Sequence, residues 1–282
     1  MTTLHPGVPQ PPEPPPSFLR EGDRFSILCE IEPPRAPDIE HVREQIDVLK
    51  PVCDAFLIPD NHLGRATVSS VSVAHEVAYM GGRPIACLNA RDRNLLGFRR
   101  DLLTAAAYGV DHFLFMYGDA PREGRRTEDL TVRGMIDEVR SFGTGPLFSG
   151  YSDFRIGTVT RPGRALAWRA RADFVFVQVT YDLERLLRWR ETLDFKGRMY
   201  AGVLVLASSR MGHRVNAMIP GINIPSSIID KLDDDPRVGI DIACEQIATL
   251  KDSGGFDGVH LVPVGRYREV ARRLEDIQGT GA

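Results

Sequence analysis

The chain has 282 residues, 43% apolar and 26% charged, with a formal net charge of −3. That is globular composition, and one α/β barrel of about 250 residues fits the length without disulfides or structural metal. The charge and the lack of a basic face argue against a nucleic-acid or acidic-membrane partner. No apolar run approaches the roughly 20 residues that cross a bilayer, and the N-terminus has no signal-peptide pattern, so a soluble cytoplasmic protein is expected. Cys29, Cys53, Cys87 and Cys244 form no C-x-x-C pair and no ligand spacing with His. Buried reduced thiols and no metal site follow.

Residues 1–20 are a separate region, because Pro6 to Pro16 is too proline-rich for helix or central strand. An unstructured lead-in is the plain reading; a ligand for a proline-recognising domain is the other. A single barrel domain is expected from 21 to 282. Apolar, β-rich runs start near positions 25, 54, 83 and 111, which are 29, 29 and 28 residues apart. Further runs begin at Phe154, Asp173, Tyr200 and Gly258. Each is followed by a segment with helical period; behind Asp38 as N-cap, Ile39, Val42, Ile46 and Leu49 share one face. Near-continuous Val/Ile/Leu/Phe strands need both faces covered, so the alternation predicts βαβ units and a parallel sheet. Eight such units form a (β/α)8 barrel of the TIM type. A doubly wound open sheet competes, but it expects a Gly-rich turn after the first strand, where this chain has E-P-P-R. Ser208 to Gly255 is too long for one helix and predicts an extra helical excursion between strands 7 and 8.

Barrel enzymes place chemistry at the C-terminal ends of the strands. Glu30 ends an apolar strand; a carboxyl there is partly desolvated, which disfavours its anion and suits a general acid. A salt bridge from Glu30 to Arg35 or Arg93 is the equal alternative. Asp119, in Gly-Asp-Ala-Pro, can stabilise a cation or cap its own loop. Asn89 to Asn94, N-A-R-D-R-N, can bind an anionic or amide ligand, or be a self-satisfied ion-pair loop. Gln178 either reads a ligand or bridges strands. Ser208-Ser209-Arg210 follows strand seven, where barrels often hold phosphate. His62, His213 and His260 look isolated and read as structural.

These residues resemble a family. S-I-L-C-E-I-E-P-P-R (26–35) is similar to the first strand of methylenetetrahydrofolate reductases, and aligning on Pro33-Pro34-Arg35 places the family's acid at Glu30. M-Y-G-D-A-P (116–121) resembles its Gly-Asp-x-Pro turn, placing the active-site Asp at Asp119, and F-V-Q-V-T-Y-D (176–182) places the pterin-binding Gln at Gln178. D-A-F-L-I-P-D-N (54–61), L-N-A-R-D-R-N (88–94) and I-P-G-I-N-I-P (219–225) also match. The resemblance spans roughly residues 24 to 278 and is nearest a divergent branch of short bacterial or archaeal reductase-like proteins.

The resemblance implies reduction of 5,10-methylenetetrahydrofolate to 5-methyltetrahydrofolate, in one-carbon metabolism and methionine biosynthesis. Glu30 would protonate N10 to open the ring, and Asp119 would stabilise the iminium cation. Asp60, Asn61, Asn89, Gln178 and Tyr181 would bind substrate; Arg91, Tyr117, Ser209 and Arg210 would bind the cofactor, NADH or NADPH. The family's flavin contacts fall on Pro59, Cys87 and Leu166-Ala167, which lack the expected hydroxyl, His or Gln, and basic pair. A Gln and a Phe that contact substrate or NADH appear as Met211 and Val215. Direct hydride transfer from NAD(P)H, or transfer through a weakly held FMN or FAD, is therefore expected. The alternative is a non-catalytic folate-binding subunit that delivers methylenetetrahydrofolate to a partner. Oligomeric state is not legible.

Overall fold

The computed structural model describes residues 24–142 and 154–279; the proline-rich segment 1–20 lies outside them. Eight parallel strands close on themselves in sequence order. They are Ser26–Glu30 (β1), Ala55–Ile58 (β2), Pro84–Asn89 (β3), His112–Met116 (β4), Arg155–Thr160 (β5), Phe174–Val177 (β6), Arg198–Leu204 (β7) and Gly258–Val262 (β8). Closure pairs Leu28 of β1 with His260 of β8. Outside run the helices Glu40–Leu49 (α1), Ser70–Tyr79 (α2), Leu95–Ala107 (α3), Val132–Ser141 (α4), Leu183–Glu191 (α5), Ser209–Met218 (α6), Ser226–Asp234 (α7), Val238–Asp252 (α8) and Tyr267–Gly279 (α9). The chain is an α/β (β/α)8 TIM barrel.

Two apolar layers follow from the period-2 alternation of the strands. Leu28, Ala55, Leu57, Ile85, Cys87, Leu114, Phe174, Phe176 and Tyr200 fill the interior. Residues of opposite parity, such as Cys29, Phe56, Ala86 and Phe113, pack outward against helix faces such as Val42, Ile46 and Leu49 of α1. Gly157 is needed inside: a methyl there would sit 2.0 Å from the Phe174 ring, so its absence lets that ring fill the barrel. Among the described residues no helix is long and apolar enough to cross a membrane.

The base carries a repeated device. Asp54, Asp173 and Asp257 precede β2, β6 and β8, and each accepts a backbone N–H from the strand before: Ile27 at 2.8 Å, Ile156 at 2.7 Å and Met199 at 2.7 Å. Each also meets an arginine, respectively Arg24, Arg140 and Arg198. The first N–H of each of these strands bonds a backbone carbonyl, and the carboxylate satisfies the second with a charge-assisted bond.

Two local expectations change. The β5–β6 crossover is a 3-10 turn, Ala167–Arg171, because Pro162-Gly163 interrupts a connection too short for a helix and its approach. α1 starts one residue late: Ile39 is its N-cap, while the Asp38 carboxylate accepts the Glu40 N–H at 2.9 Å. The excursion between β7 and β8 is present as α6 and α7, ahead of the crossover helix α8.

Candidate active site

The C-terminal mouth is built in sectors. Caps at this end fix where helices leave it: Asn94, Thr131, Asp182 and Ser208 accept the N–H of Gly97, Gly134, Arg185 and Met211.

The first sector joins the loops after β2, β3 and β4. Asp60 is buried and accepts from the Asn89 N–H at 2.9 Å and Asn89 Nδ2 at 2.5 Å, and it pairs with Arg93. Arg93 also bonds Asp101 at 2.8 Å. Asn89 Oδ1 takes the Asp92 N–H, and Asn61 Nδ2 donates to Asp92 Oδ2. Arg91 is buried; it grips Asp92 through Nε and Nη2 and donates to the carbonyls of Asp119 at 2.8 Å and Asn61 at 3.2 Å. Burial opposes ionisation of Asp92, but the bonds from Arg91 and Asn61 outweigh it and hold the carboxyl at about 2. The polar groups of N-A-R-D-R-N are thus bonded into one network, in which Asp60 meets Asn89 and Arg93 while Asn61 and Arg91 meet Asp92.

Asp119 is exposed, and its Oδ2 accepts the Leu63 N–H at 3.1 Å across the mouth from the β2 loop. Gly118 before it has φ +76, a left-handed conformation that glycine adopts without Cβ strain. Leu63 itself has φ 55, and Asn61 and Val264, in the loops after β2 and β8, are also left-handed. Such strain gathers where a site over-determines the backbone. Tyr117 is 47% exposed beside this turn.

The second sector is Glu30 with His260. Glu30 continues the inward row of Leu28, and its Oε2 lies 3.2 Å from His260 Nε2, the side chains being 18% and 13% exposed. Nε2 is shut off from solvent and has no aligned hydrogen bond among the described residues. The imidazole stacks on Phe176 with centroids 5.1 Å apart. Glu30 therefore meets neither Arg35 nor Arg93. His260, read as isolated, is the residue that sequence reasoning missed. β8 closes on β1, and the inward alternation of V-H-L-V was the signal that could have found it.

The third sector is the wall over β6 and β7. Gln178 follows Phe176 on the inward face, half-buried, and its amide makes no hydrogen bond among the described residues; only its backbone N–H is used, on Thr160 O. The Tyr181 hydroxyl donates to Leu204 O at 3.3 Å, and burial pushes it up from its ordinary range. α6 and α7 close this side through a small core of Val179, Leu206, Val215, Ile222, Ile224 and Ile229. Met211 packs on it, and the Asn216 amide clamps both backbone groups of Ile224. Ser209 opens α6 and Arg210 is exposed beside it.

The positions expected to touch flavin do not fit one. Pro59 and Cys87 are buried, Leu166 belongs to the outer core, and Ala167 has no polar group. No group of three His, Cys, Asp or Glu suited to a metal occurs among the described residues.

Comparison with known proteins places this geometry. Residues 167–277 match the methylenetetrahydrofolate reductase family model. The resemblance to that family thus holds over the C-terminal part of the chain, which includes Gln178, Tyr181, Ser209, Arg210 and His260. Glu30 and Asp119 precede the matched stretch. No curated protein matches the chain. Among solved structures, a Clostridium thermocellum protein described as binding two copies of 5-methyl-5,6,7,8-tetrahydrofolic acid is 15% identical, with a TM-score of 0.63 over 91% of this chain and 95% of that one. A long-chain alkane monooxygenase is 12% identical, with a TM-score of 0.55 over 92% of each chain. A mutant tryptophan synthase α-subunit from Pyrococcus furiosus is 12% identical, with a TM-score of 0.54 over 90% of this chain and 98% of that one. At such identities these likenesses establish the fold alone.

Proposed function

We propose that the chain reduces 5,10-methylenetetrahydrofolate to 5-methyltetrahydrofolate with NADH or NADPH. The observation that carries this reading is the Glu30–His260 contact at the mouth, a carboxyl and an imidazole 3.2 Å apart. The family match and the folate named for the Clostridium thermocellum protein support the substrate class.

Opening the imidazolidine ring breaks the bond from N10 to the bridging carbon, and N10 leaves readily only when protonated. Glu30 gives that proton, leaving a 5-iminium cation on the folate. The His260 imidazole then returns a proton to Glu30 through Nε2, the atom that faces the carboxyl, and regains one at Nδ1. The positioned acid contributes about 10²- to 10⁴-fold. Asp119, whose second carboxylate oxygen has no partner among the described residues, faces the cation electrostatically. Gln178 and Tyr181 orient the pterin, with Asp60, Asn61, Asn89 and Arg91 as the frame that holds the Asp119 turn. Tyr117, Ser209 and Arg210 border the space for the dinucleotide, which when bound supplies the hydride to the exocyclic carbon.

The test is NADH oxidation dependent on methylenetetrahydrofolate. Wild type turns over; Glu30→Gln loses about 10²-fold or more while still binding 5-methyltetrahydrofolate. If both are equally inactive and both bind folate, the chain is a folate-delivering subunit.

A further inference from the structure

The groove between α2 and α3 ends in a group of exposed aromatic rings. Tyr79 and Tyr108 are 56% and 49% exposed. His75 stacks on Tyr108, with ring centroids 4.3 Å apart and planes 27° from parallel. Tyr79 follows His75 by one turn on the same face of α2. Neither tyrosine hydroxyl has a hydrogen-bond partner among the described residues. Tyr267 on α9 is the contrast: it is buried and donates to Glu44 at 2.9 Å. Rings open on their faces, with hydroxyls unused, make a surface that takes apolar and acceptor groups together.

The chain enters the barrel on the same rim. Helices here run back toward the strand starts, so the C-terminal ends of α2 and α3 lie at the base. Arg24 lies there too and pairs at 2.7 Å with Asp54, just ahead of β2. The Phe56 N–H of β2 bonds Arg83 O, four residues beyond Tyr79, and Lys50 Nζ joins the end of α1 to Met80 O at 3.0 Å. Two strand spacings and one helix layer put the aromatic group about 20 Å from Arg24. Residues 17–23, extended at about 3.1 Å each, cover that distance. Ahead of them, seven of the eleven residues from Pro6 to Pro16 are proline.

We propose that residues 6–16 of this same chain lie across Tyr79, His75 and Tyr108 as a polyproline II strand. Proline rings pack on aromatic faces, and polyproline II has no internal hydrogen bonds, so its carbonyls are free to accept from the two hydroxyls. The proline rings fix φ beforehand, which lowers the entropy lost on docking. This docking does not rest on the reductase reading.

The test puts the photo-crosslinking residue p-benzoylphenylalanine in place of Thr104, exposed one turn before Tyr108, in the purified full-length protein. Trypsin releases residues 1–20 as one peptide, so mass spectrometry reads an adduct to it directly. The expected result is an adduct within one chain between position 104 and residues 6–16. It should be at least about fivefold more abundant than from the same residue in place of Arg188, exposed on α5 across the barrel. Tyr79→Ser/Tyr108→Ser lowers the adduct about fivefold or more, and so does Pro11→Ser/Pro12→Ser/Pro14→Ser/Pro15→Ser. The proline set precedes the barrel and keeps the wild-type unfolding midpoint, which separates lost docking from lost folding. No adduct to residues 1–20, or one that either set leaves unchanged, overturns the docking. An adduct that joins two chains seats the segment on a second copy and overturns docking on its own barrel.

Discussion

Glu30 and His260 are 230 positions apart, and barrel closure alone puts their side chains in contact. A carboxyl that must both give and regain a proton needs a partner that solvent does not replace, and Nε2 is buried against it. We expect His260→Asn to lower turnover about tenfold or more while 5-methyltetrahydrofolate binding stays within about twofold, measured as kcat against Kd. A rise in Kd with kcat unchanged would make His260 a packing residue. Asp119 offers a contrast: it already holds the Leu63 N–H, so Asp119→Asn keeps that acceptor and removes only the charge. Loss of turnover in Asp119→Asn, with thermal stability unchanged, would assign its role to charge.

At the scale of elements, the aspartates before β2, β6 and β8 do the same work in three places. Each closes an odd strand by accepting its first free N–H and pairs with a nearby arginine. Asp257→Ala leaves the Met199 N–H and the Arg198 guanidinium without that partner, and should cost about 2 kcal/mol in urea unfolding. Gly157→Ala should also destabilise, by about 1–3 kcal/mol, because Phe174 cannot keep its place in the interior. The strands and their order were legible from apolar runs alone, since a strand covered on both faces needs no alternation. The β5–β6 crossover was not, because a helical pattern expected by analogy with its neighbours had no room between Thr160 and Phe174.

For the whole molecule, the ion pairs give stability a definite pH dependence. The partly buried Asp92 is held at about 2, and Asp111 is held below its ordinary range, chiefly by its bond to His112 against the opposing effect of burial. A depressed carboxyl contributes stability that is full above its unfolded value, 3.8, and is lost as pH falls through the folded value. Urea unfolding should therefore show stability declining between about pH 4 and about pH 2, with a shallower decline in Asp92→Asn. An unchanged acid limb in that variant would mean the loop network contributes nothing to folding.

The residues by themselves determined the barrel, the presence of the excursion before β8 and the place of Glu30 at the end of β1, because each depends on spacing along one short segment. Only the tertiary structure decided what those side chains meet. N-A-R-D-R-N meets Asp60 and the Asp119 carbonyl from neighbouring loops, and His260 looked solitary until β8 closed on β1. Ionic partners are chosen by distance in space, which a linear pattern does not contain.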